Sequence, residues 1–195
     1  IDEFCKNLNI PIINLLSPSS HPCQVLSDVF TVEEIKKKSI SKLNICWIGD
    51  CNNVLNSLIA AAVKFNFNLN IGCPKNYMPP KFVMNWVKKN KGNVNIFNNP
   101  KKAAKNADVV FSDKVVSLND KVNIDKKIRD FKEFRIDNNL MNVTKPQSIF
   151  LHCLPRGNEV SEEVFFGKHS KVFQQASNRI HVQKSILCYV FGKLR

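Results

Sequence analysis

The sequence predicts an α/β protein: a doubly wound (Rossmann-like) parallel sheet of about five strands flanked by helices. Three observations predict it. Short, nearly continuous apolar runs alternate with segments of helical spacing. These runs resemble strands whose two faces are both covered, as in parallel sheets. Several of them are followed directly by polar residues, as expected where buried strands end at a ligand crevice.

The candidate strands are apolar runs of four to seven residues, namely Leu43–Gly49, Leu69–Cys73, Val94–Phe97, Asp108–Ser112 and Ser148–His152. Helical spacing occurs between them in Asn53–Phe65, Pro80–Lys91, Pro100–Asn106 and a longer stretch around Asp125–Val143. Two further helices are predicted to bracket the set, at residues 22–38 and 174–191. We therefore expect residues 21–195 to form one domain. Residues 1–20, including the strand-like Pro11–Leu15, are interpreted as the tail of a preceding domain.

The composition excludes several classes of protein. The chain has 195 residues, of which 44% are hydrophobic and 23% charged, and no apolar run reaches the roughly 20 residues that span a bilayer. The net charge of +13 comes from lysines scattered over predicted helix surfaces without interleaved aromatic residues, so we expect neither a nucleic-acid partner nor a membrane partner. The seven cysteines include no Cys-x-x-Cys pair, which argues against a disulfide framework or a zinc site and favours a reducing, cytoplasmic location.

Polar residues follow the first, fourth and fifth predicted strands. These segments read GDCNN (residues 49–53), SD (residues 112–113) and HCLP (residues 152–155). In open parallel sheets, ligands bind beyond the carboxyl ends of the strands, near the point where strand order reverses. The three segments are therefore expected to converge on one crevice.

The first of these segments lacks the glycines of a dinucleotide site, since only Gly49 is present. Asn52 and Asn53 stand at the start of the next predicted helix, where asparagine is a common N-cap. Capping explains one asparagine and leaves the other, Asn53, available for a zwitterionic ligand.

Asp113 allows two interpretations: an Asx-turn that closes the strand, or a carboxylate that holds an ammonium group beside Ser117. The HCLP segment also allows two. Either the cysteine is a small core residue at a strand end, or the residues 152–154 face a pocket and Pro155 fixes the turn.

The predicted helix at residue 22 begins with His21-Pro22-Cys23-Gln24, and proline is a normal first helical residue. Such a helix start directs free backbone N–H groups and the positive end of the dipole outward, which suits an anion. Arg179 lies in the last predicted helix. An arginine there is usually solvated, but one that faces the crevice can bind a phosphate with two hydrogen bonds.

Together, HPCQ, GDCNN, Asp113 with Ser117, HCLP and SNRIHVQKS occur in an order and at separations that closely resemble the carbamoyltransferases, and within them the ornithine enzymes. The resemblance extends from about Pro11 to the last helix. It implies transfer of a carbamoyl group from carbamoyl phosphate to the δ-amine of ornithine, giving citrulline and phosphate. It also implies two α/β domains, a trimeric assembly, and no metal or organic cofactor. This chain resembles the second, amino-acid-binding domain with its connecting helices, and it contains no Ser-x-Arg-Thr motif of the first domain.

The resemblance also implies residue roles. Carbamoyl phosphate would contact five residues: His21, Gln24, Cys153, Leu154 and Arg179. Ornithine would contact four: Asn53, Asp113, Ser117 and Leu118. The residues with catalytic roles would be His21, Asp113 and Cys153.

Two departures from the family pattern concern substrate choice. The family motif Asp-x-Trp-x-Ser-Met reads here DKVVSL (residues 113–118), so Val115 replaces tryptophan and Leu118 replaces methionine. The segment after HCLP is also shorter than in many relatives. Alternative hypotheses are therefore a carbamoyltransferase for putrescine or an N-acylated ornithine, or a non-catalytic amino-acid-binding remnant.

Overall fold

The computed structural model describes residues 1–116 and 123–192. In these ranges five strands form one sheet: β1 Asn44–Ile48, β2 Asn68–Gly72, β3 Val94–Phe97, β4 Val109–Ser112 and β5 Ile149–His152. All pairings are parallel, in the order β3-β2-β1-β4-β5. The predicted fold class is therefore confirmed, and each predicted strand is present to within one or two residues at its ends.

The described residues also form helices. They are α1 Asp2–Asn7, α2 Pro22–Lys36, α3 Asn53–Lys64, α4 Lys81–Lys89, α5 Pro100–Ala104, α6 Ile124–Asp130, α7 Asn138–Met141, α8 Glu162–Phe165 and α9 Val172–Val190. Short 3₁₀ turns occupy Ile40–Lys42, Lys75–Tyr77 and Lys132–Phe134. The first helix of the chain and α8 were not predicted.

The predicted helical stretch around Asp125–Val143 is broken into three pieces. After α6 and a 3₁₀ turn, Ile136 forms a parallel bridge with Val160, which requires an extended backbone. Asp137 then caps α7, because its Oδ1 accepts from the Leu140 N–H at 2.9 Å. Pro11–Leu15, which has a strand-like sequence, forms no strand and lies outside the sheet.

Two apolar layers cover the two faces of the sheet. One contains Trp47 and the buried faces of α2 and α3, and the other contains Phe150 with α5, α7 and α8. Because both faces are covered, strands β1, β4 and β5 are mostly apolar, which is why they were visible in the sequence.

The chain runs from β1 outward to β3 and then returns to place β4 on the other side of β1. The strand order therefore reverses between β1 and β4. The Ser112 hydroxyl at the end of β4 donates to the Ile48 carbonyl at 2.7 Å and ties the two strand ends together. Gly49 follows with a backbone φ of +148°, which residues other than glycine rarely adopt. This conformation lets the chain turn away from the sheet.

Candidate active site

A cavity of about 1270 Å³ lies beyond the carboxyl ends of β1 and β4, where the strand order reverses. Its walls come from the start of α2, the start of α3, the ends of β4 and β5, and the middle of α9. Seven of the residues predicted to form a site line it: His21, Gln24, Asn53, Asp113, Cys153, Leu154 and Arg179. The strand-end segments GDCNN, SD and HCLP all contribute to this cavity, as expected, while the functional roles of these residues stay predictions. Ser117 and Leu118 lie outside the described residues.

Asp113 is the centre of a group of donors. Its Oδ1 accepts from the Cys153 thiol at 2.6 Å and from the Lys114 backbone N–H at 2.8 Å, and its Oδ2 accepts from Asn52 Nδ2 at 2.7 Å. Three donors around one carboxylate hold it in a fixed orientation. The bond to Lys114 fits a turn that closes the strand, while the other two join Asp113 to β5 and to the start of α3.

Cys153 is a protonated thiol. Burial, and then the charge and hydrogen bond of Asp113, raise the pKa of the Cys153 thiol above its ordinary value. A thiol held in this form donates a hydrogen bond and is a poor nucleophile.

We expect iodoacetamide at pH 8 to modify Cys153 at least about tenfold more slowly than the exposed Cys5 and Cys188, because only the thiolate reacts. Peptide mass spectrometry after timed quenching gives the separate rates. Modification of Cys153 as fast as that of Cys188 would contradict the thiol assignment.

The two asparagines at the start of α3 have different contacts. Asn52 is the N-cap, since its Oδ1 accepts from the Val54 and Leu55 N–H groups at 3.0 and 3.1 Å. Asn53 Nδ2 donates to the Ser17 carbonyl at 3.0 Å, and Asn53 also lines the cavity. The expectation that one asparagine caps and the other faces the crevice is confirmed in this geometric sense.

His21 is the N-cap residue of α2, and its backbone N–H donates to the Ser57 hydroxyl at 2.8 Å. Burial, together with the positive charge of Arg179, lowers the pKa of the His21 imidazole. The ring is therefore neutral at pH 7. Its buried Nδ1 has no hydrogen-bond partner among the described residues.

Arg179 reaches the cavity from α9, where its Nη1 donates to Gln24 Oε1 on α2 at 2.8 Å. The Nε2 of Gln24 in turn donates to the buried carboxylate of Asp28 at 2.8 Å. Burial raises the pKa of Asp28 to about 7, against the opposing effects of hydrogen bonds from Gln175 and Gln24.

This pKa predicts how Asp28 affects stability. The unfolded chain loses the Asp28 proton near its ordinary pKa of 3.8, whereas the folded chain keeps it to about pH 7, so the contribution of Asp28 to stability falls between these values as pH rises. We compare the unfolding free energies of the Asp28→Asn variant and the unsubstituted protein. From pH 5 to pH 8 we expect this difference to change in favour of the variant by on the order of 2 kcal/mol. Urea unfolding of both proteins at the two pH values measures it. An equal difference at both would contradict the raised pKa.

The hypothesis that His152 faces the pocket is wrong, whereas Cys153 and Leu154 do line it. His152 is the last residue of β5 and its side chain is buried between Phe150 and Phe165. Its Nε2 lies 3.1 Å from Glu159 Oε1. Successive side chains of a strand point to opposite faces of the sheet, so His152 shares a face with Phe150, two residues earlier. It therefore points into the apolar layer that contains Phe150. The Leu154–Pro155 peptide bond that follows is cis.

Other residues of the cavity were not predicted as site residues: Ser17, Asp28, Trp47, Asp50, Asn52, Lys114 and Gln175. Asp50 and Asn52 follow β1 directly, so the strand-end rule was sufficient to find them. Asp28 and Gln175 lie within helices and carry no local sequence signal.

Val115, at the position of the family tryptophan, is 8% exposed and packs in the apolar layer that contains Phe150. Lys114 and Val115 line both the cavity and a neighbouring cavity of about 890 Å³. Val115 is therefore a boundary residue that the two spaces share.

Within residues 1–116 and 123–192, no helix is long and apolar enough to cross a bilayer. The same residues contain no group of three or more His, Cys, Asp or Glu side chains arranged to hold a metal ion.

Three features define the class of protein: the reversal of strand order, the Asp113 carboxylate with its three donors, and the Arg179 guanidinium at the start of α2. The class is that of α/β domains that bind a small polar ligand at the carboxyl edge of a parallel sheet.

Comparison with known proteins identifies the family. The profile of the aspartate/ornithine carbamoyltransferase Asp/Orn-binding domain matches residues 41–190. This chain belongs to the aspartate/ornithine carbamoyltransferase family.

Similar proteins agree with this assignment. The chain is 42% identical over 194 residues to an ornithine carbamoyltransferase of Ruthia magnifica, covering 98% of this chain and 64% of that protein. The ornithine carbamoyltransferase of Pyrococcus furiosus matches in structure with a TM-score of 0.90 at 34% identity, over 100% of this chain and 64% of that chain. The anabolic enzyme of Campylobacter jejuni matches with a TM-score of 0.89 at 37% identity, over 98% and 65%. The chain thus spans slightly less than two thirds of the relatives it matches.

Proposed function

We propose that this chain is the ornithine-binding part of a carbamoyltransferase that converts ornithine and carbamoyl phosphate into citrulline and phosphate. The observation that carries the proposal is the single cavity that Asn53, Asp113 and Cys153 share with His21, Gln24 and Arg179. Groups suited to an ammonium and groups suited to a phosphate line the same space, as a reaction between an amine and an acyl phosphate requires.

In the proposed complex, Asp113 and Asn53 hold the polar ends of ornithine. A free δ-amine is protonated at neutral pH and must lose its proton before it attacks a carbonyl carbon. A partly desolvated cavity favours the neutral amine, and hydrogen bonds with Asp113 and the Cys153 thiol orient its lone pair. Ser117 and Leu118 are proposed as further ornithine contacts.

Carbamoyl phosphate is proposed to lie against the start of α2. His21 and Gln24 contact its carbamoyl and phosphate groups, Arg179 meets the phosphate charge, and Cys153 and Leu154 lie between the two substrates. Attack of the amine forms the new C–N bond and places a negative charge on the carbonyl oxygen, which the neutral imidazole of His21 stabilises by donating a hydrogen bond.

The tetrahedral intermediate then breaks its bond to the phosphate oxygen. The electron pair leaves with phosphate, whose charge is met by Arg179 and the positive end of α2. The departing phosphate accepts the amine proton, so no side-chain base is needed. The reaction requires no metal or organic cofactor in this scheme.

A trimer is proposed for the complete enzyme, and the chain of residues 1–195 is proposed to be essentially inactive alone. About half of the contacts to the transition state would come from a carbamoyl-phosphate-binding domain that this chain does not contain.

The test is an assay of the protein expressed from its complete coding sequence, with carbamoyl phosphate and each of ornithine, putrescine and N-acetylornithine. We expect citrulline from ornithine and little product from the other two amines. The valine at position 115 gives the competing candidates their support, and activity on putrescine or N-acetylornithine alone would overturn the choice of ornithine. Absence of product with all three amines would favour a non-catalytic binding protein.

A further inference from the structure

Four side chains on two facing helices form a hydrogen-bonded row along one wall of the cavity. Gln24 and Asp28 lie one turn apart on α2, and Gln175 and Arg179 lie one turn apart on α9. Asp28 Oδ1 accepts from Gln24 Nε2 at 2.8 Å and from Gln175 Nε2 at 2.7 Å. The row therefore joins residues 147 positions apart in the chain.

The carboxylate determines which way both amides point. Both glutamines contact the same oxygen, Oδ1, and a carboxyl oxygen that carries no proton can only accept hydrogen bonds, so each glutamine turns its NH₂ group toward Asp28 and its oxygen away. The oxygen of Gln24 then accepts from Arg179 Nη1 at 2.8 Å. The oxygen of Gln175 accepts from the backbone N–H of His152 at 2.9 Å. One buried group thus sets the position of a cavity arginine and of the strand end just before Cys153.

The same two helices are also linked one turn further along. There Asn178 Nδ2 donates to the Thr31 hydroxyl at 3.0 Å and to Glu34 Oε2 at 2.8 Å. Asp28 is only 3% exposed, and burying an ionisable group has a cost in free energy that a neutral pair avoids. What sets Asp28 apart from Thr31 is that its Oδ1 accepts from one amide on each helix, that of Gln24 on α2 and that of Gln175 on α9.

We propose that Asp28 is a positioning residue for the carbamoyl phosphate site: through Gln24 it holds Arg179 at the cavity, and through Gln175 it fixes the strand end that carries Cys153. This inference rests on the proposed function for the identity of the ligand. The orienting effect itself is a property of the chain and can be measured without turnover.

Three variants separate orientation from packing. Asp28→Asn keeps an oxygen that can accept from both glutamines, whereas Asp28→Leu has a similar size and accepts nothing. Thr31→Val is the matched control, because it removes the neutral hydrogen bond between the same two helices at a residue that does not line the cavity. Asp28→Ser replaces Asp28→Leu if the latter does not fold.

The first measurement uses the chain of residues 1–195 alone. NMR spectra of the side-chain amides of Gln24 and Gln175 and of the Arg179 guanidinium report the row directly. In Asp28→Leu we expect these signals to shift and their hydrogen exchange to accelerate at least about tenfold, since the bonds are lost. In Asp28→Asn and Thr31→Val we expect them to stay close to those of the unsubstituted chain. Unchanged signals in Asp28→Leu, or equal shifts in Asp28→Leu and Thr31→Val, would overturn the proposal.

The second measurement uses the protein from its complete coding sequence. We expect Asp28→Leu to raise the KM for carbamoyl phosphate about tenfold to a hundredfold, while the KM for ornithine changes less than threefold. In Asp28→Asn, the KM for carbamoyl phosphate should stay much closer to that of the unsubstituted protein. Equal effects on both KM values, or no rescue by asparagine, would indicate a structural role only. If the unsubstituted protein forms no citrulline, the proposed function fails while the NMR result still decides the role of Asp28.

Discussion

Replacing Asp113 with asparagine is expected to lower kcat/KM for ornithine by about a hundredfold to a thousandfold. Two causes combine. The substitution removes the negative charge that is proposed to hold an ammonium group, and truncating one partner of a desolvated charge pair typically costs about 2–5 kcal/mol. A loss of that size corresponds to a fall in kcat/KM of about 30-fold to 5000-fold, a range that includes the expected value.

The second cause is local. All three groups that contact the carboxylate are donors, namely the Cys153 thiol, the Lys114 N–H and Asn52 Nδ2. An amide at this position must direct its own NH₂ group toward at least one of them. The site then loses its orientation as well as its charge, so the loss should appear in kcat as well as in KM.

Steady-state assays of the protein from its complete coding sequence measure the effect. Asp125→Asn is the matched control, because Asp125 is exposed in the first turn of α6 and does not line the cavity. Its kinetic constants should stay within about twofold of the unsubstituted values. If Asp113→Asn retained more than a tenth of the original kcat/KM, Asp113 would have no direct role in binding the amine.

Replacing Lys127 with methionine is expected to lower the free energy of unfolding by about 3 kcal/mol. Lys127 is 3% exposed, and its Nζ lies 2.6 Å from Asp50 Oδ2. The pair connects α6 to the segment that follows β1. Methionine matches the length of the lysine stem but leaves the Asp50 carboxylate, whose side chain is 17% exposed, without this cation.

Chemical denaturation of the chain of residues 1–195 measures the loss, with Lys126→Met as control. Lys126 is the exposed neighbour on the same helix, and its substitution should change stability by less than about 0.5 kcal/mol. Adding Asp50→Asn to Lys127→Met should recover part of the loss, because it removes the carboxylate that lost its partner. If Lys127→Met and Lys126→Met unfolded at the same denaturant concentration, the ion pair would make no net contribution.

The elements that could be predicted from the sequence are those with a local signal. The strands at residues 44–48 and 149–152 were visible because burial on both faces makes their sequences mostly apolar. The cavity residues Asn53 and Asp113 were visible because they directly follow helix-start and strand-end positions, and parallel strands end at a common edge.

The features that were missed depend on contacts between distant parts of the chain. Asp28 and Gln175 resemble ordinary polar helix residues until the two helices are placed side by side. The break between α6 and α7 arises from a bridge between Ile136 and Val160, a tertiary contact that helical periodicity does not report. His152 was placed at the pocket from its neighbours in the sequence, although the alternation of side chains along β5 directs it into the core.

The return of the chain from β3 to the far side of β1 also fixes when the cavity can assemble during synthesis. The outer half of the sheet needs only residues that emerge early, whereas β4 joins β1 through partners such as Asn44 and Asp108, which are 64 positions apart. The contact between Gln24 and Arg179 spans 155 positions. A nascent chain can therefore form the β1–β3 half on the ribosome, but its ligand pocket is complete only after the last helix has been released and has docked.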